Sequence, residues 1–150
     1  MTERMMHSPL GPLTLLSSDG AITGVEWRRG ALNDAPELVS AEAQMTGYFE
    51  GKRKLFDLPC RVRGSEFQQR ICARMSAIPF GDTVTYGDLA AELGVPAQAV
   101  GTGCGGNPIP IIIPCHRVLG AASLGGFSAK GGVETKVWLL RHEGAAGLLI

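Results

Sequence analysis

A chain of 150 residues, 45% of them hydrophobic, is long enough for one ordinary domain or two small ones sharing an interface. Fourteen basic and 14 acidic side chains cancel to a net charge of zero, so bulk electrostatics announce no nucleic-acid partner and leave only a local basic face open. No apolar run approaches the ~18 residues of a membrane span, and the opening MTERMMHSPLGPL lacks the basic-then-apolar order of a secretory signal.

In chain order, LGPLTLLSSDGAITGVEWR (10–28) holds two apolar runs around SSDG, and Asp19-Gly20 is a hairpin turn signal. GALNDAP (30–36) reads as a loop. Residues 37–51 look helical, with Leu38, Met45 and Phe49 near one face and Gly51 as a stop. LFDLPCRV (55–62) alternates like a strand, completing a small α/β unit. Helical signals follow. Ser65 and Gln68 form a capping-box pattern, and Phe67, Ile71, Met75 and Ile78 recur at helical spacing, which predicts a helix over 65–77. Pro79 to Asp82 is a turn and 83–85 a short extended piece. Tyr86 to Leu93 is a helix ended by Gly94, and Pro96 opens a further helix over about 96–104. The pair reads as a helix-turn-helix, with the domain boundary near 63–64. IPIII (109–113) is a buried strand or buried extended segment. Residues 119–132 are a glycine-rich loop. The last helix covers about 133–143, with Val133, Val137 and Leu140 on one face and Glu143 bordering it.

Four cysteines, Cys60, Cys72, Cys104 and Cys115, show neither CxxC pairing nor histidines at zinc spacing. Reduced thiols, no metal, no cofactor and a cytoplasmic location are therefore expected. Cys60 and Cys72 read as buried small hydrophobes. Cys104 ends the helix that Pro96 opens, close to the stretch of greatest chemical interest, PCHRV (114–118). There a cysteine stands beside a histidine at the edge of an apolar run. Cysteine is a nucleophile only as thiolate, and apolar surroundings disfavour that charge, so a reactive cysteine here needs a base. In an extended segment the side chains of Cys115 and His116 point to opposite sides, so a bridging water or a turn is needed to couple them. Glu143 can orient the histidine, giving a Cys–His–Glu relay. The same residues also fit a buried structural cysteine next to a surface histidine. Arg70, Arg74 and Arg117 fit phosphate contacts or structural partners, and solvated surface positions suit the first two.

The string AVGTGCGGNPIPIIIPCHRVLG (99–120), with TYGDLA upstream, WLLRHEG downstream and SPLGPLTL near the start, resembles the O6-alkylguanine-DNA alkyltransferases, the methylated-DNA–protein-cysteine methyltransferases. The resemblance spans about 64–144 and rests chiefly on PCHRV preceded by NP and an isoleucine run. It implies an α+β chain: a small ribonuclease H-like α/β domain over 1–62, then a winged helix-turn-helix domain over 63–150 carrying the active site. It implies direct-reversal repair, in which an alkyl group moves irreversibly from O6 of an extruded guanine (O4 of thymine is a further possible donor) to Cys115. Each molecule acts once, as a monomer on double-stranded DNA bearing O6-alkylguanine, without metal, cofactor or membrane. His116 matches the residue that deprotonates the acceptor through a water, and Glu143 the carboxylate behind it. Asn107 matches the asparagine tying the recognition helix to the active-site segment, and Tyr86 the tyrosine that presses on the phosphate 3′ to the target. Ala99 and Gly101 lie on the small-surfaced helix that enters the minor groove. Arg117 is a candidate DNA contact.

Two positions depart from the family. Gln98 stands where an arginine commonly fills the gap left by the flipped base; it brings no charge and stacks less well. Phe127 stands where many members have a tyrosine, which leaves Ser128 or loop amides to meet the departing guanine. These departures keep one alternative open, a non-enzymatic alkyltransferase-like lesion binder. The presence of Cys115 argues against it, and a cysteine hydrolase lacks any oxyanion signature.

Overall fold

The computed structural model describes residues 1–121 and 123–145, and the chain divides into two compact units between Arg63 and Gly64. In the first unit, β1 (Thr2–Met6), β2 (Leu13–Ser18) and β3 (Ala21–Glu26) form an antiparallel sheet in that order. Helix α1 (Pro36–Phe49) presents Leu38, Ala41, Met45 and Tyr48, all fully buried, at the spacing of one helix face. Asp19 and Gly20 both take left-handed backbone (φ 51° and 78°), the geometry of a tight two-residue hairpin, as expected from Asp-Gly. Tyr48 rather than Phe49 is the buried aromatic of α1, stacking obliquely on Phe56 at 5.6 Å.

Two expectations for this unit need correction, and one strand had no sequence signal. Strand β1 carries no apolar alternation to announce it. It is an edge strand paired antiparallel with β2 from Thr2 to Met6, and the Arg4 side chain adds bonds to Glu42 of α1 at 2.5 Å and to Asp34 at 3.0 Å. Residues 55–62 are not a strand. Their only ladder contact is an isolated bridge, in which Ile22 donates to Pro59 O at 2.7 Å and Arg61 donates to Ile22 O at 2.8 Å. Pro59 has no N–H to extend it. Cys60 is exposed, not buried.

The second unit begins with α2 (Glu66–Ser76), whose Ile71 and Met75 are fully buried. Ser65 caps it by accepting from Gln68 N at 3.0 Å, but the expected return bond is absent. The Gln68 amide instead donates to Gly103 O at 2.8 Å, because the helix packed alongside offers it a carbonyl. The complete capping box lies elsewhere, at α3 (Tyr86–Leu93): Thr85 Oγ1 accepts from Asp88 N at 3.0 Å and Asp88 accepts from Thr85 N at 2.9 Å. Gly94 (φ 67°) ends α3. Helix α4 (Ala97–Gly105) follows, with Pro96 as its cap residue rather than inside its first turn. It crosses α2 at Gly103, where any Cβ would stand 2.9 Å from Ile71. Val84 and Thr85 (β4) pair in parallel with Val118 and Leu119 (β5), joining the start of α3 to the segment after PCHR. Helix α5 (Val133–His142) closes the unit. Its buried face is Thr135, Lys136, Leu139 and Leu140, whereas Val133 is 43% exposed. The face is rotated from the expected one because the apolar valines lie on its rim. Among the described residues no helix is long and apolar enough to cross a membrane.

Candidate active site

The isoleucine run is buried but not extended. Ile113 N donates back to Ile109 O at 2.8 Å, and Ile111 sits in left-handed backbone at φ 73°. A β-branched residue there is strained, and surrounding contacts must hold it. Asn107, just past α4, supplies two of them: its Oδ1 accepts from Ile109 N at 3.0 Å and its Nδ2 donates to Ile113 O at 2.8 Å. The chain is thereby folded tightly before Pro114 and delivers Cys115–Arg117 as one turn of 3-10 helix. Cys115 and His116 therefore do not alternate as in a strand; successive side chains of such a turn diverge by only about 120°.

All three residues of the turn are buried, and Glu143 at the end of α5 meets two of them. His116 Nε2 lies 2.7 Å from Glu143 Oε2. Arg117 donates from Nε to Oε1 at 2.8 Å, from Nη2 to Oε2 at 3.0 Å, and from Nη1 to Ile78 O at 2.6 Å. Burial alone would raise the Glu143 pKa; the bonds from His116 and Arg117 outweigh it and hold the carboxyl down at about 2. Burial pushes the His116 pKa down against the opposing pull of Glu143, so the ring is neutral. An ionised carboxylate only accepts, so Nε2 carries the ring proton and Nδ1 is the basic nitrogen. Nδ1 is buried and has no partner among the described residues. Arg117 thus corrects the expectation of a DNA contact: at 6% exposure, with its fork spent on Glu143 and Ile78, it is a structural partner.

Cys115 lies at the wall of a cavity of about 430 Å³. Burial pushes its thiol up to about 11, while Asn107 and Lys136 pull the other way. Tyr86 and Cys104 line the cavity with it, Gly101 and Gly105 of α4 form one side, and Gly126, Phe127 and Ser128 of the loop form another. Ser128 Oγ donates to Gly105 O at 3.1 Å, tying loop to helix. Gln98 is exposed on α4 and Ala99 half-buried; neither lines the cavity. Arg70 is exposed, and Arg74 is bound to Glu92 of α3 at 2.5 and 2.9 Å.

One residue escaped the sequence reading. Lys136 is fully buried, donating to Val118 O at 2.6 Å and Gly126 O at 3.1 Å, with its ammonium 5.7 Å from the Tyr86 ring centre. Burial lowers its pKa to about 8, against the pull of Cys115 and Cys104. Its position, four residues before Leu140 and seven before Glu143, put it on the inward face of α5, and that spacing was the available signal.

A buried Glu143–His116–Arg117 cluster thus adjoins, in sequence, a thiol at the wall of a cavity. Residues 66–145 match the model of the 6-O-methylguanine DNA methyltransferase DNA-binding domain, and residues 1–62 match that of its ribonuclease-like domain. The chain belongs to the O6-methylguanine DNA methyltransferase family. It is 38% identical to the methylated-DNA–protein-cysteine methyltransferase of Mycobacterium tuberculosis, over 93% of this chain and 90% of that one. It is 35% identical to the constitutive methyltransferase of Bacillus subtilis, over 91% and 92%. Among solved structures, Mycobacterium tuberculosis OGT in complex with DNA superposes with a TM-score of 0.83 at 39% identity, covering 95% of this chain and 92% of that one. Like other members of the methyltransferase family, the chain pairs a small sheet domain with a helical DNA-binding domain.

Proposed function

We infer that the protein reverses DNA alkylation directly, moving the alkyl group from O6 of guanine to the sulphur of Cys115 and keeping it there. The observation that carries this reading is the Glu143–His116 pair, which leaves Nδ1 as a buried, unpartnered base next to a cavity-lining cysteine. A water held at Nδ1 relays the Cys115 proton to His116, and Glu143 balances the imidazolium that forms. The thiolate attacks the alkyl carbon. A sulphur–carbon bond forms, the carbon–O6 bond breaks, and its electrons return to the guanine, which takes up a proton. The thioether is stable, so each molecule acts once.

The duplex hides O6, so the damaged base must leave the stack to reach the cavity. Phe127 walls the base, Ser128 and the loop backbone meet its polar edge, and Tyr86 stands at the cavity beside the departing nucleotide. Asn107 holds the turn that aims the sulphur. Gln98, exposed on α4 beside the half-buried Ala99 and Gly101, faces the gap in the duplex. The protein works as a cytoplasmic monomer on double-stranded DNA bearing O6-alkylguanine.

The test is an intact mass after incubation with an O6-methylguanine oligonucleotide. A gain of one methylene mapped to Cys115, saturating at one per protein, is expected. Cys115→Ala should bind the same DNA without any gain. Binding of wild type with no mass change would overturn transfer and leave a lesion-binding module.

A further inference from the structure

The acceptor cavity holds a second thiol. Cys104, in the last turn of α4, lines the same cavity as Cys115, and both are 7% exposed. The two sulphurs are near enough that the charge of Cys115 acts on Cys104. Alkyl transfer makes no use of Cys104, whose sulphur, among the described residues, makes one polar contact, a 3.6 Å approach to Met75 Sδ. The chain between the two cysteines is folded back on itself by Asn107, which brings the end of α4 to the 3-10 turn. Positions 101 and 105 carry no side chain beside Cys104, so no Cβ crowds the space on that side of the helix end. Bridging two cysteines requires their Cα atoms to come within about 7 Å.

We propose that Cys104 is a resolving thiol for the acceptor, closing a Cys104–Cys115 disulfide when hydrogen peroxide oxidises the site. The Cys115 thiolate attacks peroxide, one oxygen bonds to sulphur as the sulfenic acid, and the other leaves as water. The Cys104 sulphur then attacks the Cys115 sulphur, the S–S bond forms and a second water departs. Two thiols give up two electrons and peroxide is reduced to two waters. Cys115 is the first to react because a bond from the Asn107 side chain favours its thiolate, whereas burial raises the Cys104 thiol with no such bond to oppose it. The disulfide blocks alkyl transfer but spares the acceptor from irreversible over-oxidation, and a dithiol reductant restores it.

The sequence makes the test unambiguous. No lysine or arginine lies between Arg74 and Arg117, so trypsin releases 75–117 as one peptide containing only Cys104 and Cys115. After peroxide and a non-reducing digest, that peptide should be lighter by two hydrogens and return to its original mass with dithiothreitol. Peptide 75–117 gaining oxygen atoms instead, with no lighter form, overturns the proposal. In Cys104→Ala the same treatment should add oxygen to Cys115, and transfer activity recovered on reduction, relative to each protein's untreated value, should be about tenfold lower than in wild type. Equal recovery in both proteins also overturns it. The wild-type mass decides the matter by itself, and does so whether or not Cys115 accepts alkyl groups from DNA.

Discussion

Lys136 brings an ammonium group into the interior of the second unit, where its partners are two carbonyl oxygens and the face of Tyr86. Burial disfavours its charge, and the pKa falls from 10.5 to about 8. The sign of the linkage follows. Between those two values the unfolded chain holds a proton that the folded chain has released, so stability rises with pH across that window and is lost as pH falls through about 8. Lys136→Met should abolish this rise, as read from urea midpoints on either side of the window. The same substitution removes the positive charge that favours the Cys115 thiolate. A one-unit rise in the thiol pKa slows transfer about tenfold at neutral pH, with the rate profile displaced to higher pH. An unchanged profile would remove Lys136 from the chemistry.

At the scale of elements, α3 starts where it does because of Thr85 and Asp88, and the position of Tyr86 in the first turn follows from that start. Thr85→Ala breaks the capping box and should cost about 1–2 kcal/mol in denaturant unfolding. Helix α4 lies against α2 with glycine at the crossing and carries an uncharged Gln98 on its exposed side. Gln98→Arg should lower the dissociation constant for duplex DNA severalfold and steepen its salt dependence by about one phosphate contact. Affinity and repair kinetics equal to wild type would show that residue 98 takes no part in base extrusion. The helices were legible from apolar spacing and turn residues, within a residue or two. The strands were less so: β1 is defined by its ladder with β2 and by Arg4 bonds to Glu42 and Asp34, partners far along the chain, while 55–62 alternates like a strand but meets no continuous ladder.

For the molecule as a whole, acid is the sharpest probe of the site. Glu143 is held at about 2, below its ordinary 4.5. Its contribution to stability is therefore complete above 4.5 and is lost as pH falls toward 2. Glu143→Gln should flatten the acid limb of the stability curve relative to wild type. At neutral pH it leaves the buried Arg117 without its counter-charge, which costs about 3–5 kcal/mol. A variant as stable as wild type at neutral pH would mean that Arg117 finds compensation elsewhere. Transfer should fall with it, because His116 loses the carboxylate that supports its charge.

PCHRV with its upstream NP and isoleucine run carried the family resemblance, the acceptor candidate and the relay partners, because those residues must be specific chemical types wherever the chain places them. Spacing along single helices carried the inward face of α2 and the neighbourhood of Glu143, because that periodicity is local. What only the tertiary structure decided was how the pieces meet. The isoleucines turn back instead of extending because Asn107 binds both ends of the turn. Arg117 is a buried partner because Glu143 and Ile78 O reach it from distant segments. Lys136 and Cys104 join the acceptor's surroundings because α5, α4 and the 3-10 turn converge there. The placements of Arg117 and Lys136 depend on contacts between residues far apart in sequence, which no local pattern encodes, whereas the Asn107 turn uses partners only two and six residues away.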